Sequence, residues 1–288
     1  MARFKNVGVV GLGLIGGSIA LEIKKRDISK KVTGFSRRIE TLEKAKKAGW
    51  IDVYFQNFED GLKDLDFLIL ATPVDTIKEY FLKINRQKSS VVFTDVASVK
   101  EKIVNEAMAI LGEDSNFVPS HPLAGSEKSG IDAVKENLFE KKYVIITPYK
   151  NTKENHIRLV KDFWESLGGK TFFLSPAEHD RLVGLTSHLP HLIVYSLISL
   201  IEKRGSEHEQ LFRCMGSGFL DTTRIGKSNP ELWTDIFIAN KRNICMWIDE
   251  FENVLKEMKV IVESGSSEKL KMMLNNLKSL REKVDEKN

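Results

Sequence analysis

The chain has 288 residues, with 44 Lys and Arg against 40 Asp and Glu, which gives a formal net charge of +4. This length predicts about two domains, each able to bury its own core. Because the small net charge is spread along the chain, it argues against a nucleic-acid-binding surface and leaves room for a mildly basic cleft that binds anionic small molecules.

The two cysteines, Cys214 and Cys245, have neither metal-ligand spacing nor a disulfide pattern. We expect both to pack in the core of a cytoplasmic protein, and we expect no metal site. The N-terminus has no charged and then apolar leader. The most apolar run, residues 192–201, has about half the length of a bilayer span, so we expect a buried helix and no membrane association.

The first predicted strand, residues 7–10, runs directly into Gly11-x-Gly13-x-x-Gly16 and an amphipathic helix. Gly11 permits the tight turn, Gly13 lets backbone approach a pyrophosphate, and Gly16 lets the helix pack closely on the sheet. A second strand at residues 31–35 completes the βαβ unit of a dinucleotide-binding domain. The further expected cofactor contacts are Leu14, Ile15, Thr72 and Pro73.

The residues that close the second strand predict which cofactor binds. An NAD site usually has an acidic residue there, whereas this chain has Ser36, Arg37 and Arg38. A serine hydroxyl and an arginine can hold the 2′-phosphate of NADP, so the segment favours NADP. The alternative is that both arginines are solvated residues at the start of a surface helix.

Helices and strands alternate in the first half of the chain. The expected helices are 14–25, 39–48, 75–84, 99–111 and 153–167, and the expected strands are 67–71, 91–95, 117–119, 143–147 and 171–174. The apolar strands suit a sheet that is covered on both faces. We therefore predict an α/β Rossmann-type, doubly wound parallel sheet over residues 1–174, with its binding crevice beyond the carboxyl ends of the strands.

From Ser175 onward the pattern is helical, which predicts an all-helical domain over residues 175–288 for substrate binding and dimerisation. Apolar residues spaced by three and four between residues 244 and 262 predict one long helix after Pro230, and a second seam spans 270–280. Such a seam must be buried. A homodimer interface is favoured over packing within one chain.

Polar segments interrupt the apolar pattern where the crevice is expected. Ser98 and Glu101 form an S-x-x-E capping box for the next helix, which also places the Ser98 hydroxyl beside a bound nicotinamide. His121 follows a strand and precedes Pro122, which restricts it to an extended conformation. A histidine there can accept a hydroxyl proton as hydride leaves the same carbon. A purely structural histidine is the alternative.

Two later segments add further candidates. Helical spacing places His188 and His191 on one face of a helix that Pro190 should kink, which favours a pocket wall over two buried structural histidines. Arg224 can hold a carboxylate bidentately, and Asp221 can pair with it or orient it. A surface salt bridge is the alternative for this last pair.

Five segments in this order resemble the signatures of the prephenate and arogenate dehydrogenase family of tyrosine biosynthesis: GLGLIGGS, TDVASVK, SHPLAGSEKSGID, SHLPH and GFLDTTRIGKSNPELW. The resemblance covers nearly the whole chain. It implies a Rossmann domain, an all-helical domain that forms an intertwined dimer, and an NAD(P)-dependent oxidative decarboxylation of prephenate to 4-hydroxyphenylpyruvate.

The resemblance also implies roles for individual residues. His121 accepts the hydroxyl proton, Ser98 orients it, and Arg224 binds a substrate carboxylate. The residues that line or gate the pocket are Glu127, His191 and Asp221, and Trp233 approaches the site of the partner subunit. Ser126 and His188 are further candidates for substrate binding. Glu127 and His191 favour prephenate as the substrate, with arogenate as the alternative.

Two other classes of protein share part of this pattern. Further Rossmann enzymes with helical second domains, such as 3-hydroxyacid dehydrogenases and pyrroline-carboxylate reductases, have the fingerprint but not the SHPLAGSE and SHLPH pair. A non-catalytic NAD(P) sensor has no need of His121, Ser98 and Arg224 together.

Overall fold

The structure, a computed structural model, describes residues 3–205 and 209–287 of the chain. These residues form two compact units, one that reaches to Lys241 and one that starts at Arg242. The predicted division at residues 174 and 175 stays a prediction, because the helices that follow Ser175 belong to the same compact unit as the sheet.

The first unit is built on a five-stranded parallel sheet with the order β3-β2-β1-β4-β5. The strands are β1 (Phe4–Val10), β2 (Ser29–Phe35), β3 (Val53–Phe55), β4 (Phe67–Leu70) and β5 (Val92–Asp95). In the register, Val10 lies opposite both Phe35 and Leu70, and Leu70 lies opposite Asp95. The carboxyl ends of these strands therefore meet at one edge, as the Rossmann prediction requires.

The helices that follow these strands cover both faces of the sheet. They are α1 (Leu14–Lys25), α2 (Ile39–Lys47), α3 (Phe58–Gly61), α4 (Val74–Arg86) and α5 (Glu101–Leu111). Two buried apolar clusters result, one centred on β1 with α1 and one on β4 with α4. The sequence does not predict β3 and α3, since elements of three or four residues are too short to show a period.

The last three strands form a second sheet, although Phe117 still bridges Phe93 of β5 in parallel, so the prediction of one parallel sheet through residue 174 is wrong only from Ser120 onward. The strands are β6 (Ser120–Pro122), β7 (Tyr143–Ile146) and β8 (Lys170–Phe173), with α6 (Glu154–Ser166) between β7 and β8. β6 and β7 are antiparallel, whereas β7 and β8 are parallel. Residues 123–142 connect β6 to β7, and the one regular element that the structure describes among them is a 3-10 turn at Ile131–Ala133.

Helices dominate the rest of the first unit. They are α7 (Pro176–Val183), a π-helical turn (Gly184–His188), α8 (Leu189–Gly205), α9 (Ser217–Thr222) and α10 (Pro230–Ala239), with 3-10 turns at Glu209–Cys214 and Arg224–Lys227. Ser175 and Glu178 form a capping box at the start of α7. Pro190 has no backbone N–H and cannot donate a hydrogen bond to the Thr186 carbonyl. The helix has a π-helical turn directly before Pro190, where we predicted a kink.

The helical run Pro176–Gly205 is long and apolar enough to cross a membrane by length and composition. The same run buries His179, Asp180 and His188 within the first unit. The prediction of a buried helix at residues 192–201 is also wrong for the single chain. Ile198 and Leu200 are exposed, because only one face of α8 packs inward.

The second unit contains most of α11 (Lys241–Glu263) and α12 (Ser267–Lys287). The predicted single helix after Pro230 is interrupted, since Asn240 ends α10. Apolar side chains of both helices are exposed in the single chain, among them Val254, Leu255, Leu274, Leu277 and Leu280. Cys214 and Cys245 are exposed too, so the expectation that they pack in the core is wrong.

Candidate active site

The turn after β1 has the geometry of a dinucleotide cradle. Gly11 has a φ of +85°, where a side chain is strained, and a Cβ at Gly16 would lie 1.9 Å from the carbonyl oxygen of Gly11. A Cβ at Gly13 would meet nothing within 4 Å, so the space above this residue is open. Gly13 caps α1 without a side-chain hydrogen bond, which leaves the first helical amides, including those of Leu14 and Ile15, facing that space.

Two more predicted cofactor segments lie at the same edge of the sheet. Thr72 follows β4, and its buried hydroxyl has no hydrogen-bond partner within the described chain. Pro73 caps α4. At the end of β2 the Ser36 hydroxyl accepts a hydrogen bond from the Arg38 amide at 3.2 Å. Neither Arg37 nor Arg38 forms an ion pair with a described carboxylate, so both guanidinium groups are available to a ligand.

The loop that carries Ser98 is anchored by a buried ion pair at the end of β5. The Lys100 ammonium contacts the Asp95 carboxylate, and both side chains are fully buried. Asp95 also accepts hydrogen bonds from the amides of Ala97 and Ser120. Burial raises the pKa of Asp95 and lowers that of Lys100, and the attraction between the two charges opposes both shifts.

The predicted capping box of Ser98 and Glu101 is wrong. α5 begins at Glu101 and its cap residue, Lys100, makes no side-chain capping bond. Asp180 of α7 supplies the cap instead: its carboxylate accepts the amides of Lys100 at 2.7 Å and of Glu101 at 2.9 Å. Because a carboxylate from another helix occupies the capping position, the Ser98 hydroxyl is not needed there and faces the cavity described below.

His121 lies in β6, opposite Ile145 of β7. Its neighbour Ser120 is tied to the end of β5 and to the Trp164 indole, which donates to the Ser120 hydroxyl at 2.9 Å. Burial lowers the pKa of His121 well below 6.5, and the charge of Lys100 adds to this effect. The His121 imidazole is therefore neutral at physiological pH, the form that can accept a proton.

A cavity of about 770 Å³ opens at this edge of the first unit. It brings together seven of the predicted residues: Ser98, His121, Ser126, Glu127, His191, Arg224 and Trp233. Its wall also contains residues that the sequence analysis did not single out for a role, among them Lys128, Thr186 and Ser187. This volume suits a small organic molecule.

Charged and aromatic pairs line the cavity. Arg224 donates to the Glu127 carboxylate at 2.8 Å, and the pKa of Glu127 is lowered by its own backbone amide and by the charge of Arg224. The His191 ring stacks on the Trp233 indole, with centroids 3.5 Å apart. His191 Nδ1 lies 3.0 Å from the Ser187 carbonyl oxygen, so Nδ1 donates and Nε2 is left as the acceptor.

Two predicted site residues have surroundings other than those expected. His188 is fully buried behind the cavity wall, where burial lowers its pKa to about 4. Asp221 is exposed on α9 and does not line the cavity. Trp233 lines the cavity of its own chain, and its expected approach to the site of a partner subunit stays a prediction.

Sequence reasoning missed four polar residues behind the cavity: Lys100, His179, Asp180 and Asn240, all buried. The side-chain amide of Asn240 donates to the Asp180 carbonyl at 2.7 Å and contacts His188 Nδ1 at 3.0 Å. One signal was available, because His179 and Asp180 share the inward face of α7 with Val183. Among the residues that the structure describes, no cluster has the ligands for a metal ion.

A parallel five-stranded sheet with a glycine turn, together with a cavity that contains a neutral histidine, is typical of a nicotinamide-dependent dehydrogenase with a helical C-terminal part. Comparison with known families narrows the class. The model of the prephenate dehydrogenase nucleotide-binding domain matches residues 19–173, and that of the prephenate dehydrogenase dimerization domain matches residues 175–276. The chain belongs to the prephenate dehydrogenase family.

Individual relatives agree with this assignment. The chain is 34% identical to the prephenate dehydrogenase of Bacillus subtilis, over 95% of this chain and 74% of that protein. A crystal structure of prephenate dehydrogenase from A. aeolicus with hydroxyphenyl propionate and NAD+ is 37% identical, with a TM-score of 0.91 over 97% and 98% of the two chains. Synechocystis arogenate dehydrogenase is 32% identical, with a TM-score of 0.82 over 97% and 99%.

Proposed function

We propose that this protein oxidises and decarboxylates prephenate to 4-hydroxyphenylpyruvate and CO2 with a nicotinamide dinucleotide as the oxidant. The observation that carries the proposal is the cavity that holds Ser98, His121 and Arg224 together at the edge of the sheet where the glycine turn lies. Arogenate, which differs from prephenate in its side-chain amine, is the alternative substrate of the same site.

The residues around the glycine turn fit the cofactor. The open space above Gly13 and the uncapped amides of α1 suit a pyrophosphate, and the unpaired Thr72 hydroxyl is available for a hydrogen bond. When bound, a nicotinamide supplies the hydride acceptor that the reaction needs.

His121 is placed to move the proton. As hydride leaves the ring carbon that bears the hydroxyl group, the neutral imidazole of His121 accepts the hydroxyl proton. The bond between the ring and its carboxylate then breaks, CO2 leaves, and the electron pair makes the ring aromatic. The phenolate oxygen takes back a proton, so no net proton is consumed. The Ser98 hydroxyl orients the reacting hydroxyl.

The charged residues of the cavity suit a substrate with two carboxylates. Arg224 binds one carboxylate of the substrate. When it does so, its hydrogen bond to the Glu127 carboxylate is replaced by one to the substrate carboxylate. Ser126, His191 and Trp233 shape the pocket around the side chain of the substrate. His188 supports the wall from behind.

The assay that tests this function follows absorbance of the reduced nicotinamide after mixing the protein with prephenate or arogenate, each with NAD and with NADP. We expect turnover with prephenate. Turnover of arogenate alone would move the assignment to the alternative substrate. No reduction in any combination would contradict the proposal and favour the hydroxyacid dehydrogenase or sensor classes.

For the cofactor we propose a preference for NADP, carried by Ser36, Arg37 and Arg38. The two arginines lack carboxylate partners among the described residues, and no acidic side chain closes β2 to bind ribose hydroxyls. The double substitution Arg37→Ala with Arg38→Ala should raise KM for NADP about tenfold to a hundredfold, because a charge-assisted hydrogen bond is worth about 1.5–3 kcal/mol.

In the same variant KM for NAD should change less than about threefold, since NAD has no 2′-phosphate. Steady-state kinetics with both cofactors measure this. Arg158→Ala, which removes an exposed arginine from α6, is the matched control and should leave both values unchanged. An equal rise in KM for both cofactors in the double variant would mean that the arginines bind NAD and NADP alike and do not recognise the 2′-phosphate.

The assembly that we propose is a homodimer through the C-terminal helices, in a cytoplasmic enzyme. Its basis is the match to a dimerization domain and the exposed apolar side chains of α11 and α12. Sedimentation equilibrium should give twice the 32.7 kDa mass of the chain, and Leu277→Glu should weaken association. A monomeric protein at micromolar concentration would refute this interface.

A further inference from the structure

A chain of buried hydrogen bonds leads away from His121 on the side opposite the cavity. His121 Nδ1 lies 2.9 Å from His179 Nε2, and His179 Nδ1 lies 2.8 Å from Asp180 Oδ1. We call these three residues the Asp180–His179–His121 chain. His179 and Asp180 are buried on α7 and do not line the cavity, so the chemistry described above makes no use of them.

The proton positions in this chain follow from Asp180. Its Oδ1 accepts the Lys100 amide and its Oδ2 accepts the Glu101 amide, so the ionised carboxylate is the form that satisfies both contacts. A carboxylate can only accept from His179, which places the His179 proton on Nδ1 and leaves Nε2 as an acceptor. His121 must then donate from Nδ1. The lone pair of a neutral His121 is therefore on Nε2.

The nitrogen with that lone pair is the one that can meet a ligand. His121 lines the cavity, and within the described chain its Nε2 hydrogen-bonds no other residue. The opposite tautomer, with the proton on Nε2, could not accept a hydroxyl proton at this position. The direction in which the hydrogen bonds of the Asp180–His179–His121 chain donate therefore decides whether His121 can act as a base.

The surrounding charges favour this arrangement. Burial lowers the pKa of both His121 and His179 well below 6.5, and the Lys100 ammonium lowers them further. His188 also faces the pair and is neutral above its pKa of about 4. Burial raises the pKa of Asp180, but the two backbone amides and Lys100, itself paired with Asp95, oppose that rise. His121 and His179 are therefore neutral, and Asp180 is ionised beside them.

We propose that His179 and Asp180 are positioning residues for the base: they fix His121 in the tautomer with its lone pair on Nε2, and they stabilise the imidazolium that forms when His121 takes the proton. This proposal rests on the role of His121 in the proposed function. It requires no covalent change in either residue.

The first test reads the tautomers without substrate. Long-range proton–nitrogen NMR correlations of the full-length protein labelled with ¹⁵N-histidine distinguish the two neutral forms, and single His→Gln variants assign the six histidines. At pH 7 we expect His121 and His179 each to carry the proton on Nδ1. A proton on Nε2 of His121 would overturn the proposal. This readout stands whether or not prephenate proves to be the substrate.

The second test is kinetic and uses whichever substrate the assay identifies. His179→Phe keeps a ring in place but removes the acceptor for His121 Nδ1. We expect kcat to fall about tenfold to a hundredfold, with KM changed less than about threefold. Because the imidazolium of His121 loses its stabilising partner, the acid limb of the kcat profile should move to lower pH. His179→Gln, whose amide oxygen can accept the same hydrogen bond, should restore part of kcat.

The matched control is Glu178→Gln, on the adjacent residue of α7. Glu178 accepts the Ser175 amide in the capping box, and the amide oxygen of Gln can accept the same hydrogen bond, so this variant changes the charge of α7 without touching the chain of hydrogen bonds. It should leave both kcat and the pH profile in place. A His179→Phe variant with wild-type kcat, or one that loses kcat with an unmoved acid limb and no rescue by Gln, would reduce His179 to a structural role.

Discussion

Replacement of His121 by asparagine should lower kcat about a thousandfold and leave KM for prephenate within about threefold of the wild-type value. The amide of asparagine can still hydrogen-bond the substrate hydroxyl, but it cannot accept a proton at neutral pH. General base catalysis contributes about 10²- to 10⁴-fold, so the loss corresponds to about 4 kcal/mol of barrier height. Steady-state kinetics with prephenate, together with a cofactor titration, separate the two parameters.

The pH dependence of kcat adds a second check on the same residue. Burial and the charge of Lys100 hold the pKa of His121 well below 6.5, so the neutral base is present across the neutral range. In the wild type, kcat should stay level as the pH falls to 6.5 and should decline only in more acidic solution, where His121 becomes protonated. That acid limb should disappear in His121→Asn.

His156→Asn is the control, because His156 lies on α6 away from the cavity and its pKa is also lowered by burial. This variant should keep the wild-type kcat and acid limb. If His121→Asn instead raised KM and preserved kcat, His121 would be a binding residue only.

The cavity residues were predictable because each lies in a short polar segment between apolar elements. Ser98 follows β5 at the edge of the parallel sheet that the apolar strands and the glycine turn indicated, whereas His121 lies in β6 and Glu127 follows β6. Helical spacing together with Pro190 indicated His191, whereas the role of Arg224 came mainly from motif resemblance. A lone arginine in a turn has no local pattern that identifies its ligand.

The residues behind the cavity could not be predicted in the same way, since their partners are far away in sequence. Asp180 caps a helix that begins about 80 residues earlier, so the local S-x-x-E pattern at Ser98 indicated the wrong cap. His179 meets His121 across 58 positions. The antiparallel pairing of β6 was missed because the strand is only three residues long and its partner follows an irregular segment.

Replacement of Lys100 by methionine should lower the free energy of unfolding by about 3–5 kcal/mol near pH 8, the second large effect that the structure predicts. Lys100 and Asp95 are both completely buried, and methionine fills most of the volume of the lysine stem. The substitution leaves the Asp95 carboxylate with two backbone amides but without its counter-charge. An unpaired buried charge is much more costly than the net value of the pair.

The cost should depend on pH, with a definite sign. Burial already raises the pKa of Asp95, and without Lys100 nothing opposes this rise except the two amides. In the variant, the folded state therefore binds a proton at a higher pH than the unfolded state does. Stability is gained below the raised pKa and lost as the pH increases through it, so the difference from wild type should be smaller at pH 5 than at pH 8.

Denaturant unfolding at one fixed protein concentration measures these differences, since association of subunits also contributes to apparent stability. The double variant Asp95→Asn with Lys100→Met is the matched control. It removes the charge along with its partner, so it should recover part of the lost stability and lose the pH dependence, although the asparagine can satisfy only one of the two amides. If Lys100→Met were as stable as wild type at both pH values, the ion pair would hold no net stabilising energy. Its role would then be limited to the conformation of the loop that presents Ser98.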